Sequence, residues 1–351
     1  MPAGDPRRDD ARPDGDRRDG ERPVASSIFD VPLDEAESID ALAGAGRRRR
    51  ARGEKGFERE LDSDLLTDRE DIVRVPVAPT RRLVSLAIAG FAGLLGLALI
   101  FGGYLVPKSF ALIIFGVQVL FVVTWTVATR PVGARIVAGV GLAAAAIADL
   151  AVAWPTHATI APLGYVTAGA FVAGMIGQLA RRDGRAQVAE SVGATLVMVI
   201  GVVAYASLIT LSRNQLGPES IAACFTAATV ALVVARILDA IVPFPRTTPQ
   251  VARGTIGIIV GAMAGTIASA FVASGLVGLS PGRTVYAGLL TAIAAVLADL
   301  GVGYAEASRE IDGDVGPMWL VRHMQGPLGA FALAAPVAYA MSVMVLLPAL
   351  S

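Results

Sequence analysis

The sequence predicts an all-α, polytopic membrane protein of about nine transmembrane helices, preceded by a disordered, charged N-terminal tail. Three observations predict it. Apolar residues fill 54% of the 351 positions, with a mean hydropathy of +0.61. Charge is driven into one end, because residues 1–80 hold 15 of the 30 Lys and Arg and 20 of the 30 Asp and Glu. From Arg81 onward the apolar residues gather into nine stretches of about 20, each enough to cross a hydrocarbon core of about 30 Å. The division expected is a tail over 1–80 and a membrane domain over 81–351.

The tail has little to bury. Residues 1–26 are mostly Pro, Gly, Asp and Arg, a composition that cannot offset the entropy of folding. The opening "MPAGDPRRDDARPDGDRRDGERPVA" has no apolar core, so the span starting near residue 83 is expected to direct insertion. Two later segments, "SSIFDVPLDEAESIDAL" and "FERELDSDLLTDREDIV", place apolar side chains among acids, as loose linkers or docking segments for a protein partner do. Between them stand Arg47, Arg48, Arg49, Arg50 and Arg52. Beside a membrane such a run can hold anionic lipid headgroups, at about 1 kcal/mol per charge. Nucleic acid is not expected, since acids flank the run and no aromatics interleave it.

The spans are expected at approximately 83–106, 109–129, 133–153, 158–180, 190–212, 219–242, 254–278, 284–307 and 327–350. Connections such as "VPKS" and "GLSPGR" are short and carry Pro or Gly. With no water in the bilayer core, each span must be helical to satisfy its own backbone. Stretches such as "GIIVGAMAGTIASA" and "AGLLTAIAAVLA" are rich in the small residues that let helix backbones approach closely. With the tail inside, inner connections carry Arg81, Arg82, Arg130, Arg135, Arg181, Arg182, Arg185, Arg246, Arg253, Arg309 and Arg322, against Lys108, Arg213 and Arg283 outside. That asymmetry predicts a multi-pass protein with its N-terminus cytoplasmic and C-terminus outside, and the near-exclusive use of Arg, with lysine only at Lys55 and Lys108, points to a bacterial inner membrane. A sole cysteine, Cys224, rules out an intrachain disulfide and reads as a small packing residue.

An ionisable group within a span is costly, so each is a candidate for function. Three carboxylates qualify: Asp149, Asp239 and Asp299. Asp149, near Trp154 and His157, reads as part of an outer interfacial anchor. Arg236 lies three residues before Asp239, the spacing of a local ion pair. Asp239 and Asp299 both fall toward the inner ends of their spans. There "PFPRTTPQVARG" joins spans six and seven, and "SREIDGDVGPMWLVRHMQG" joins eight and nine. These loops bring Arg246, Arg253, Arg309, Arg322 and His323 beside Glu306, Glu310, Asp312 and Asp314. Such arginines can bind phosphate, or serve only as the topogenic charges of an inner loop. Zinc is not expected, because no second His or cysteine cluster accompanies His323; no phosphate-cradling Gly-Lys-Ser/Thr loop is present, and a Ser nucleophile elbow is not expected.

At these loops the sequence resembles the CDP-diacylglycerol synthase (phosphatidate cytidylyltransferase) family. Ala298-Asp299-Leu300-Gly301 is similar to the family's Gly-Asp-Leu motif, and Ala334-Ala335-Pro336-Val337 to its closing Ala-Ala-Pro segment. Upstream, Thr248-Pro249 followed by Gly254 resembles the segment that leads into a Gly-rich span. The resemblance implies a polytopic enzyme that joins CTP to phosphatidate at the cytoplasmic side, with Mg2+ held by carboxylates, Asp299 among them. Departures fall at the charged positions. Gln250 and Val251 replace lysines, the Lys-Arg and Lys-Asp pairs meet Glu306-Ala307 and Asp312-Gly313, and Asp-Arg-x-Asp becomes Gly326-Pro327-Leu328-Gly329. No acid follows Asp314.

The reading expected is therefore a degenerate relative, a pseudoenzyme that binds lipid or a protein partner. Asp299, Asp239 and Asp312 are the candidate metal or headgroup site, and Arg246, Arg253, Arg309, Arg322 and His323 the candidate phosphate ligands. Two alternatives stand beside it: an active cytidylyltransferase using Mg2+, and a small-solute transporter.

Overall fold

In the computed structural model, residues 82–155, 159–180, 188–242, 244–277, 279–313 and 318–346 are described. The tail, His157, Arg81, Arg181, Arg182, Arg185 and Asp314 lie outside the described residues, and so do the expectations placed on them. Within the described residues nine helices are long and apolar enough to span a bilayer, and the chain is a multi-pass, all-α membrane protein. They are α1 (Arg82–Gly102), α2 (Pro107–Thr129), α3 (Ala134–Ala153), α4 (Ala161–Leu179), α5 (Val188–Ser212), α6 (Gly217–Ile241), α7 (Thr255–Val272), α8 (Pro281–Ile311) and α9 (Trp319–Met341). All belong to one compact unit, Val75–Ser351.

Helices α5 and α6 are the most buried and form the spine. Helices α2, α3 and α4 pack around α5, while α1, α7 and α8 pack around α6. Helix α9 closes the seam by touching α5, α2, α6 and α1 as well as α8. There Tyr205 donates to the Leu328 carbonyl at 2.6 Å, and the Phe225 and Phe331 rings stack 5.8 Å apart.

Small residues decide the closest contact. On α7, Gly257, Gly261 and Gly265 recur every four residues and so share one face. Each meets a backbone carbonyl of α6: Ala235, Ala231 and Ala227 respectively. A Cβ at Gly261 would lie 2.6 Å from the Ala231 oxygen, a distance no side chain tolerates. One further step along α6 is Asp239, whose carboxylate meets the start of α7. The glycine face therefore fixes the register that delivers Asp239.

Two connections differ from expectation. The loop between α6 and α7 folds into a hairpin, Arg246–Thr248 (β1) paired antiparallel with Val251–Gly254 (β2), turning through Pro249 and Gln250. The β-branched Thr247, Thr248 and Val251 suit extended backbone, and Pro presets the turn. The segment between spans eight and nine is mostly helical rather than looped. Helix α8 runs 31 residues to Ile311, because "AEASREI" contains no breaker, and stops beside Gly313 at φ 79. Helix α9 begins at Trp319, eight residues ahead of the expected span, and continues through Pro327 and Pro336. Inside a membrane such prolines are accommodated where neighbouring helices bury the freed carbonyls. Arg309, Arg322 and His323 thus stand on helices.

Candidate functional site

Where the hairpin meets the ends of α6, α8 and α9, four charged side chains converge. The Asp239 Oδ1 accepts from the Gly254 N–H at 2.9 Å, at the N-terminus of α7. Its Oδ2 accepts from Arg253 Nη1 at 2.8 Å. The other nitrogen of that fork, Nη2, is in close contact with Asp299 Oδ2 on α8. Asp299 Oδ1 in turn accepts from Arg236 Nη2 on α6 at 2.5 Å. Asp299 is fully buried, and Asp239 and Arg253 are each 3% exposed.

The order Arg236, Asp299, Arg253, Asp239 alternates in sign and sums to zero. A single charge at this burial would cost several kcal/mol, and pairing within a network offsets that cost. Burial lowers Arg253 to about 9, with the neighbouring Arg236 acting in the same direction and Asp239 opposing both. The guanidinium is therefore charged at neutral pH. Gly326 on α9 provides the space: a Cβ there would collide with Asp299 Oδ1 and approach Arg236 Nη2 to 2.9 Å.

Around this core lies a second set of contacts between α8 and α9. Arg322 Nη2 lies 3.0 Å from Glu306 Oε1 and also contacts Glu310 Oε1. Arg309 Nη2 donates to Gln325 Oε1 at 3.3 Å. Buried donors at this end that meet no hydrogen-bond acceptor among the described residues include Arg236 Nε, Arg253 Nε and Gln325 Nε2, and the Arg253 Nη2–Asp299 Oδ2 contact is an ion pair without a hydrogen bond.

The structure therefore brings together Asp239, Asp299 and Arg253, with Arg309 and Arg322 on the adjoining α8–α9 seam. Asp312 is exposed at the end of α8 and forms no ion pair among the described residues. Arg246 sits on β1, its guanidinium 5.3 Å from the Phe244 ring centroid. His323 is on α9, half-buried. Sequence reasoning missed the role of Arg236: read as a local partner of Asp239, it hydrogen-bonds instead across to Asp299. It also missed Gly326, which is recognisable only once α9 is known to pass Asp299.

Asp149 is a separate case. It is buried rather than interfacial, and its Oδ1 accepts from Gln118 Nε2 of α2 at 2.9 Å. The same Nε2 donates to the Val202 carbonyl of α5 at 2.9 Å. Trp154, which was expected to share an anchor with Asp149, is exposed and carries Lys108 over its ring at 4.9 Å.

The Mg2+ that the family resemblance implies can be tested against this donor set. Asp299 accepts from Arg236 through Oδ1 and has the Arg253 guanidinium against Oδ2, while the oxygens of Asp239 accept from a guanidinium and a backbone N–H. Among the described residues no three His, Cys, Asp or Glu side chains gather as a metal site. As arranged, these residues do not fit a metal clamp. No protein-family model, curated protein or solved structure matches the chain.

Proposed function

We propose that the chain is a bacterial inner-membrane protein on a cytidylyltransferase-like plan, which holds an anionic lipid headgroup at its cytoplasmic end without nucleotidyl transfer. The observation that carries this reading is the engagement of Asp239 and Asp299 by Arg253. Transfer from a triphosphate requires charge neutralisation, usually by metal ions clamped between carboxylates. Here the carboxylates at the corresponding depth are already neutralised by the protein's own cations. What the site retains is a surplus of buried donors, in Arg236, Arg253 and Gln325. Phosphate oxygens are acceptors only, and arginine recognises them well. The excess of Arg on this side supports a cytoplasmic placement, with the tail on the same side.

The test uses the purified full chain with CTP, phosphatidate and Mg2+, followed by native mass spectrometry of retained lipid. The expected outcome is no CDP-diacylglycerol above the level of Asp299→Asn, together with retained anionic lipid that falls several-fold in Arg236→Gln. Turnover abolished by Asp299→Asn would establish an active cytidylyltransferase instead. Equal lipid retention in both proteins would remove the headgroup reading.

A further inference from the structure

Arg253 occupies an unusual place. Its two terminal nitrogens face one oxygen from each of two carboxylates on different helices, Asp239 Oδ2 on α6 and Asp299 Oδ2 on α8. Those oxygens are thereby gathered within the width of one planar fork. The remaining oxygens are occupied, one by the Gly254 N–H and one by Arg236, so both carboxylates are oriented before Arg253 is counted. Two carboxylates converging on a small cation, with water completing the shell, is how Mg2+ and Mn2+ are commonly held by proteins.

We infer that Arg253 is a built-in substitute for a divalent cation, and that removing its guanidinium converts the Asp239–Asp299 pair into a divalent-cation site. The inference rests on ion-pair geometry alone, independent of any lipid bound at this end. The sign of the electrostatics supports it. Without Arg253 the buried set is Arg236, Asp239 and Asp299, with a net charge of −1 and two carboxylate oxygens left without a donor. An apolar surrounding penalises that arrangement strongly, and a hydrated divalent ion offsets the penalty.

The experiment uses the full chain purified in detergent with Mn2+ as the probe, followed by the electron paramagnetic resonance signal of free Mn2+. Wild type, Arg253→Ala, Arg253→Gln and Arg253→Ala/Asp239→Asn are compared, all prepared with Mn2+ present. The acidic residues of the tail bind Mn2+ weakly in every variant, so the decisive signal is the part that depends on Asp239. Arg253→Ala and Arg253→Gln are expected to gain one Mn2+ per chain, with affinity falling at least about tenfold in the Asp239→Asn double variant. Both are also expected to lose thermal stability on chelation, while wild type is indifferent. Three results overturn the inference: folded Arg253 variants with no Asp239-dependent Mn2+, Arg253 variants that do not fold even in Mn2+, or wild type binding Mn2+ in a way that Asp299→Asn abolishes.

Discussion

A glutamine in the middle of an apolar span must find partners for two hydrogens and a carbonyl. Gln118 stands eleven residues from each end of α2, about 16 Å by helix rise. Its amide nitrogen is fully used, by Asp149 and by the Val202 carbonyl. Removing one member leaves the others buried and unpaired, whereas removing both polar side chains leaves mainly a packing problem. Gln118→Leu is therefore expected to destabilise the protein by about 1–3 kcal/mol. Adding Asp149→Leu should recover part of that loss. Unfolding of the two single variants and the double variant in detergent checks it; strictly additive losses would show the pair is uncoupled. That Asp149 is polar and inside a span was legible in the sequence. Its partner was not, because Gln118 is 31 positions away and the pairing depends on how α2 meets α3.

At the scale of elements, glycine spacing and helix ends do most of the positioning. The four-residue recurrence of Gly257, Gly261 and Gly265 reads directly from the sequence as a close-packing face, and α7 uses it against α6. Gly261→Leu is expected to force the two helices apart, disturb the Asp239 contact with Gly254, and destabilise by several kcal/mol. Gly164→Leu on α4, where the added side chain meets open space, should change stability by less than about 0.5 kcal/mol. Thermal unfolding of both variants decides between a packing role for the α7 face and mere tolerance of small residues. The hairpin and the early start of α9 were not legible in the same way. Hydropathy marks where a helix must be buried, and both features lie where the chain leaves the apolar region, so local breakers and tertiary contacts set their limits.

At the scale of the molecule, nine spans were readable from length and hydropathy, and their order survives in the structure. The site was half readable. Asp239, Asp299 and Arg253 stood out as charges at the inner ends of spans, while Arg236 was assigned to its nearest sequence neighbour rather than to a helix 63 positions on. Orientation can be tested with the single native cysteine as an advantage, since Cys224 is buried. Gly282→Cys, at the start of α8, should react with a membrane-impermeant maleimide in intact cells. Asp312→Cys, at the far end of the same helix, should react only after permeabilisation. The opposite pattern would invert the topology and place the ionic cluster on the outer side.

The zero sum of Arg236, Asp299, Arg253 and Asp239 has an electrical consequence. Carrying one elementary charge through 100 mV of membrane potential is worth about 2.3 kcal/mol, which is how voltage drives charged segments. A quartet of alternating sign that shifts as a unit does no such work. If the helices around it translate together during ligand exchange, the quartet moves no net charge and gives the resting potential of the cell no handle on them.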